Sequence, residues 1–161
     1  MKRLTACLLA LMLCAALIPA ALAGTYTTGP ITYTVWDGWT EQKSSDELVY
    51  YYHNASGKTD GMLMVMTQNL GVSKSQIDAL GFDSIAKLMV DTLGNTLSTT
   101  LTYEVVKVNG EDGARFKGTY MNMACEGVLF FRGGSMVAIV MMGESNIDVP
   151  AMLTEVMDTV K

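Results

Sequence analysis

The sequence predicts an α+β fold, in which an antiparallel β-sheet of about six to eight strands has helices on both faces, in the order ββββ-α-ββββ-α. The first observation is a hairpin, where the apolar runs 128–131 and 136–142 flank a turn that contains Gly133 and Gly134. Paired glycines supply the positive φ that a two-residue hairpin turn requires. Both runs are apolar at consecutive positions, which is typical of strands covered on both faces. Two segments with a 3.6-residue apolar repeat provide the helices for those layers.

Four strands are predicted before the first helix. Residues 31–36 alternate between apolar and mostly threonine side chains, and Asp37-Gly38 then predicts a tight hairpin into residues 39–42. Residues 47–53 are aromatic and β-branched, which favours a third strand. A loop is expected over residues 54–61 from composition, and residues 62–70 form the fourth strand.

The apolar period changes from two to 3.6 residues after Gly71. This change predicts an amphipathic helix over residues 75–97, which Gly81 weakens in its first third and could split. Residues 102–108 read as a strand, and Asn109-Gly110 predicts a hairpin turn into the strands between residues 114 and 143. A polar run with capping residues then precedes Pro150, which begins a final helix that extends to about residue 160.

The first 23 residues have the pattern of a signal peptide. A positive start at Lys2 and Arg3 is followed by an apolar stretch at residues 4–17 that is too short to span a bilayer. Small residues at Ala21 and Ala23 then predict cleavage before residue 24. The prediction is a secreted or extracytoplasmic protein, with an uncleaved N-terminal anchor as the alternative.

Lipid anchoring fits the sequence less well than cleavage does. Cys7 precedes the apolar stretch that should come before a lipidated cysteine, and Cys14 follows Leu13, where a small residue is required. No transmembrane segment follows the signal peptide in the sequence. We therefore expect no membrane span after cleavage.

The predicted mature chain comprises a short linker at residues 24–30 and one domain at residues 31–161. Its 138 residues are enough to bury a core without disulfides, and Cys125 is the one cysteine that remains. Loss of Lys2 and Arg3 leaves 9 basic against 16 acidic residues, a net charge of −7. An acidic chain without a basic stripe offers no electrostatic footprint for nucleic acid.

The layout of the chain resembles the PsbP-like α/β/α sandwich superfamily. The resemblance covers residues 31–161 and rests on Trp39 closing an early hairpin, one long helix after strand four, the Asn109-Gly110 hairpin leading to Ala114-Arg115-Phe116, and a closing amphipathic helix. The superfamily includes the extrinsic P subunit of photosystem II, a Ran-binding nuclear transport factor and many small secreted bacterial proteins. The resemblance implies an accessory or binding role and not catalysis.

Catalytic and metal-binding motifs are absent from the sequence. His53 is the single histidine, and no nucleophile is placed beside it in the sequence, so a hydrolase is only the third hypothesis. Zinc-ligand spacings, P-loops and GxGxxG patterns are also missing. No catalytic residue, no metal site and no cofactor is predicted.

Methionine is the one compositional excess. Met62, Met64 and Met66 share one face of a predicted strand, where thioethers could hold Cu(I). Packing under a helix is the simpler interpretation, because methionine is an adaptable core residue. An exported small-ligand or soft-metal binder is therefore the second hypothesis.

The first hypothesis is a secreted, non-catalytic protein that binds a protein or cell-surface component. Trp36 lies on the threonine face of its strand and could be exposed beside Tyr51, in a geometry that can anchor a partner. His53, at the exit of the third strand, is expected to be an exposed or capping side chain. The predicted binding residues are Trp36, Tyr51 and His53, and the sequence does not indicate the partner or the oligomeric state.

Overall fold

A computed structural model describes residues 22–161, with the burial of side chains from residue 24 onward. The predicted signal peptide lies outside the described residues except for its last two positions. The elements in chain order are β1 (Leu22–Thr28), β2 (Ile31–Trp36), β3 (Thr40–Ser45), β4 (Leu48–Ala55), β5 (Lys58–Asn69), α1 (Lys74–Leu80), α2 (Phe82–Leu97), β6 (Thr102–Val108), β7 (Glu111–Tyr120), β8 (Met123–Arg132), β9 (Ser135–Gly143) and α3 (Val149–Thr159).

The main sheet has seven antiparallel strands in the order β3-β4-β5-β9-β8-β7-β6. Every residue of the central strand β9 is buried, which explains the uninterrupted apolar run in its sequence. The predicted α+β class, with an antiparallel sheet between helical layers, is confirmed.

Two predicted hairpin turns carry the backbone conformation that their sequences require. Gly133 and Gly134 have φ of +59° and +79° between β8 and β9, and Asn109 and Gly110 have φ of +51° and +86° between β6 and β7. Positive φ at both central residues matches the twist of the flanking strands. These local signals therefore fix the pairing of four strands.

The predicted loop over residues 54–61 is shorter than expected. Strands β4 and β5 extend through most of it and meet at a two-residue turn, in which Ser56 and Gly57 have φ of +51° and +80°. Composition alone predicts a loop here, but pairing to β4 satisfies the backbone groups of Lys58 and Thr59.

The N-terminal region differs from the prediction. Residues 24–28, expected to be a linker, belong to β1 and pair with β2 in a separate two-stranded sheet. The Asp37-Gly38 turn makes no hairpin, because β2 packs its apolar face on the core while β3, exposed at all six positions, forms an edge of the main sheet. Because β3 has no apolar face, burial in the core would not stabilise it.

The first helical segment is divided at Gly81, as its sequence allows. Gly81 has φ of +79°, so α1 ends there and α2 begins at the next residue. Ser73 caps α1 through a capping box with Gln76, and Asp148 caps α3 by accepting from the backbone N–H of Ala151.

Two apolar clusters occupy the two faces of the main sheet. One face packs against α3 and the small β1–β2 sheet, and the other packs against α2. Helix α2 contacts β6 and β7, whereas α3 contacts β2, β8 and β9. The α2 side of strands β3, β4 and β5 is therefore only partly covered.

Candidate functional site

The structure buries two of the three residues that the sequence offers as binding residues. Trp36 is 3% exposed, and its indole Nε1 donates a 2.8 Å hydrogen bond to Glu155 Oε2 of α3. Tyr51 is 1% exposed, and its hydroxyl lies 2.9 Å from that of Tyr33, which lies 2.9 Å from Thr28 Oγ1. Because Trp36 packs in the apolar cluster that α3 shares with the small sheet, the expectation that it is exposed is wrong.

His53 is half-buried and belongs to a polar cluster at one end of the sheet. Its Nδ1 lies 2.6 Å from Asp60 Oδ1, across the hairpin that joins β4 and β5. Asn146 Nδ2 donates a 2.7 Å hydrogen bond to the other oxygen of the same carboxylate. That hydrogen bond, together with His53, holds the pKa of Asp60 below its usual value against the opposing effect of burial.

Trp39 connects His53 to the buried Trp36. The ring centroid of Trp39 lies 5.5 Å from that of His53 and 5.1 Å from that of Trp36. Tyr51 instead packs edge-on against Tyr26, with centroids 4.9 Å apart. The structure therefore brings two of the predicted residues, Trp36 and His53, into one row and places the third in another aromatic cluster.

Sequence reasoning missed Asp60, Asn146 and the half-buried position of Trp39. Asp60 carries a weak signal, since it is an acidic residue two positions before the apolar run that begins at Met62, and seven positions after the only histidine. Asn146 has no comparable signal, because it lies 86 positions from Asp60 along the chain. Only the pairing of β5 with β9 brings them together.

The His53 cluster does not include the cysteine of the described residues. Cys125 belongs to the apolar cluster on the opposite face of the sheet, so it forms no pair with His53. Within residues 22–161, no group of three or more His, Cys, Asp and Glu side chains is arranged to hold a metal ion. The contact with Asp60 orients the imidazole ring of His53. It also links β4 to β5 at the turn end of their hairpin.

A second surface lies on the α2 side of β4 and β5, and we call it the Tyr–Met surface. Pairing places Tyr50 beside Met64 and Tyr52 beside Met62, with all four side chains half-buried. The rings of Tyr50 and Tyr52 are stacked, with centroids 6.1 Å apart and 21° between their planes. The members of the surface are Leu48, Tyr50, Tyr52, Met62, Met64 and Met66.

The Tyr–Met surface is bounded on one side by the exposed edge strand β3 and on the other by the part of the sheet under α2. Its two strands, β4 and β5, are about 10 Å wide at the usual strand spacing of about 4.8 Å. A helix with its side chains measures about 10–12 Å across. The open area is therefore about one helix wide. The three methionines pack against the apolar cluster under α2, as the sequence predicts, but they are only half-buried.

The sheet and its helices form an α/β/α sandwich, and two solved structures have a similar fold. Cyanobacterial PsbP (CyanoP) from Synechocystis superposes with a TM-score of 0.63 at 11% identity, over 89% of this chain and 94% of that one. A crystal structure from Bacteroides thetaiotaomicron superposes with a TM-score of 0.54 at 13% identity, over 88% of this chain and 48% of that one. No protein-family model and no curated protein matches the sequence.

At these identities the comparisons establish the fold alone, and they confirm the PsbP-like architecture expected from the sequence. None of the helices within residues 22–161 combines the length and the apolar character that a membrane crossing requires.

Proposed function

We propose that this protein is an exported, non-catalytic accessory protein that binds a protein partner outside the cytoplasm through the Tyr–Met surface. The observation that carries the proposal is the half-buried row of tyrosines and methionines that α2 covers only in part. Similarity to a PsbP protein supports an accessory role, and the signal-peptide pattern supports export.

The chemistry of the Tyr–Met surface suits a protein partner. Tyrosine offers a large contact area with only two side-chain torsions to restrict, and such residues dominate binding energy at interfaces. Methionine adapts its shape to apolar partners because its side chain is unbranched and polarisable. Contiguous apolar area on a sheet face is uncommon unless another surface covers it.

The occupant that fits is an amphipathic helix of the partner. The open area is one helix wide and lies beside α2, so an added helix would complete the layer on this face of the sheet. A helix laid in an apolar groove contacts it through residues at positions i, i+3, i+4 and i+7. This chain carries a net charge of −5, which becomes −7 after the expected cleavage. Basic residues that flank the apolar stripe of the partner helix would therefore favour association.

Site-specific photocrosslinking in the native cell envelope tests this proposal. A photoreactive phenylalanine analogue is placed at Tyr52, and a matched variant carries it at Glu104, on the opposite edge strand β6. We expect one protein to be captured from Tyr52 through a helical, basic-flanked segment, and not from Glu104. The double variant Y50S/Y52S should abolish binding of a synthetic peptide of that segment, while Y103S on β6 should retain it.

Three outcomes would contradict the proposal. The first is equal capture from Tyr52 and Glu104, and the second is capture of a second copy of this chain alone. The third is the absence of any crosslink in cells that express the protein. Detection of the protein in the cytoplasmic fraction would overturn the export part separately.

A further inference from the structure

We propose that a cavity at one end of the main sheet binds a small carboxylate with an apolar body, and that Arg132 binds the carboxylate group. The cavity has a volume of about 280 Å³ and lies between α1 and the turns that join β6 to β7 and β8 to β9. No member of the Tyr–Met surface lines the cavity, so this inference goes beyond the proposed partner binding and does not depend on it.

The cavity exists because β7 and β8 separate at this end of the sheet. Their pairing stops at Gly113 and Phe130, although β8 continues to pair with β9 as far as Arg132. Beyond that point, side chains from both faces of the sheet border one opening beside α1. Glu111, the first residue of β7, reaches α1 directly, with its Oε2 2.5 Å from Lys74 Nζ.

Apolar side chains from α1, α2 and β8 form one wall of the cavity. Phe82 and Phe131 are half-buried and meet edge to face, with their ring centroids 6.2 Å apart and 90° between their planes. Ile77 is the buried residue of α1, yet it belongs to neither apolar cluster of the main sheet. Sites for small molecules usually combine apolar walls with few polar groups in a cleft of about 300–1,000 Å³. A volume near the lower end of that range suits a small ligand.

Arg132 brings a positive charge without an ionic partner to the cavity. It is the half-buried last residue of β8, directly before the turn at Gly133. Among residues 22–161, no carboxylate forms an ion pair with its guanidinium, which lies instead 5.7 Å from the centroid of the Phe130 ring. A cation–π contact restricts the guanidinium but does not neutralise its charge. Its N–H donors therefore remain available to an anionic ligand.

The acidic residues that line the cavity already have cationic partners. Their nearest nitrogen–oxygen distances are 2.5 Å for Glu111 with Lys74, 2.7 Å for Asp112 with Lys107 and 4.0 Å for Asp78 with Lys74. Of the two cations in the lining, Lys74 is thus paired and Arg132 is not. Charge complementarity therefore favours an anionic group on the ligand.

An organic carboxylate is the anion that suits both parts of the cavity. The planar guanidinium of Arg132 presents its donors in a fork that matches the two oxygens of a carboxylate. The apolar wall packs against the body of the ligand, and an aromatic body would add edge-to-face contacts with Phe82 and Phe131. An inorganic anion such as phosphate gains nothing from that wall. The ligand class is therefore a small organic acid in its ionised form.

Titration of the purified protein with para-fluorophenylacetate, followed by fluorine NMR, tests the proposal. We expect saturable one-to-one binding, and binding at least about tenfold weaker for para-fluorophenylacetamide, which has a similar shape but no charge. R132Q should weaken binding of the acid by about tenfold or more and leave binding of the amide unchanged. K117Q is the matched control, because Lys117 is an exposed cation of β7 that does not line the cavity, and it should keep the wild-type affinity.

Two further measurements locate the bound acid. The backbone amide resonances of Gly133 and Gly134, which line the cavity, should shift during the titration, and that of Tyr52 on the Tyr–Met surface should not. V72F places a larger apolar side chain in the lining without changing the charge, so it should weaken binding of the acid and of the amide alike.

Four results would overturn the inference. They are the absence of saturable binding of the acid, equal affinities for the acid and the amide, equal affinities of R132Q and K117Q for the acid, and amide shifts at Tyr52 without shifts at Gly133 and Gly134. If R132Q fails to fold, the comparison of the acid with the amide and the positions of the shifts in the wild-type protein still decide the question.

Discussion

His53 Nδ1 and Asp60 Oδ1 lie 2.6 Å apart, at the point where β4 and β5 leave the core. Asp60 is buried, and its second oxygen accepts from Asn146 near the end of the chain. The β4–β5 hairpin and the segment after β9, which lies 86 positions away, therefore share one carboxylate, and its ionisation should influence the stability of the fold.

We predict that Asp60 contributes to acid unfolding. Its pKa is lowered in the folded state, chiefly by the hydrogen bond from Asn146. Its stabilising contribution is therefore present above the unfolded value of about 3.9 and is lost as the pH falls through the lower folded value. The D60N variant should lose less stability than the wild type between neutral pH and the acid range below about pH 4.

Urea unfolding at a series of pH values measures this effect. Asp46 provides a matched control, because its pKa is also lowered, by Lys43, but its side chain is 94% exposed. D46N should change the pH dependence much less, since solvent screens an exposed pair. A D60N protein that keeps the full acid dependence of the wild type would disprove the assignment.

The buried hydroxyl chain Thr28–Tyr33–Tyr51 predicts an asymmetry between two tyrosine variants. Y51F removes the end of the chain and leaves Tyr33 bonded to Thr28, so it should cost about 1 kcal/mol of unfolding free energy. Y33F removes the middle and leaves two buried hydroxyls unpaired, which should cost about 2 kcal/mol or more.

Chemical denaturation of the two variants measures this difference. Y52F on the half-exposed Tyr–Met surface is the control, and it should stay within about 0.5 kcal/mol of the wild type. Equal losses in Y33F and Y51F would show that the hydroxyl chain does not form as described.

Gly127 permits the close approach of Phe116 to the centre of the sheet. A Cβ atom at this position would lie 2.4 Å from Phe116 Cζ and 2.8 Å from the carbonyl oxygen of Ile139. G127A should therefore destabilise the fold by about 1–3 kcal/mol through overpacking.

A double-mutant cycle with F116L tests the cause of that destabilisation. The shorter side chain removes one of the two clashes, so the double variant should lose less stability than the sum of the single variants. Strictly additive losses would place the origin of the effect elsewhere.

The turn between β7 and β8 offers a stabilising substitution. Met121 and Asn122 both have positive φ, at +50° and +65°, and Met121 is 74% exposed. Asparagine adopts this conformation more readily than methionine and is favoured in such turns. M121N should raise the unfolding free energy by about 0.5–1 kcal/mol, and M121L should leave it unchanged. A lower midpoint for M121N in thermal unfolding would contradict this prediction.

Local sequence signals predicted much of the fold. The Asn109-Gly110 and Gly133-Gly134 turns, the helix periodicity, its division at Gly81 and the start of α3 near Pro150 all follow from short-range chemistry. The consecutive apolar residues of β9 also predicted correctly that both faces of this strand are covered. These features depend on backbone conformation and on burial, which neighbouring residues largely determine.

The candidate sites were harder to predict from the sequence than the fold was. The sequence does not indicate which of Trp36 and Trp39 is the more deeply buried. The packing of the small sheet over Tyr51 decided this. Methionine spacing on β5 identified the face but not the register with β9. Which methionine lies beside Met142 depends on a pairing between strands that are distant in sequence.

The sequence by itself determined the hairpins, the helices and the class of fold, because turn chemistry and apolar periodicity act over a few residues. Only the tertiary structure decided that β1 pairs with β2, that Asp60 joins His53 to Asn146, and that Arg132 lines a cavity beside α1. It also decided that α2 covers the Tyr–Met surface only in part. The physical reason is that long-range pairing and layer coverage depend on how the faces of all elements fit together.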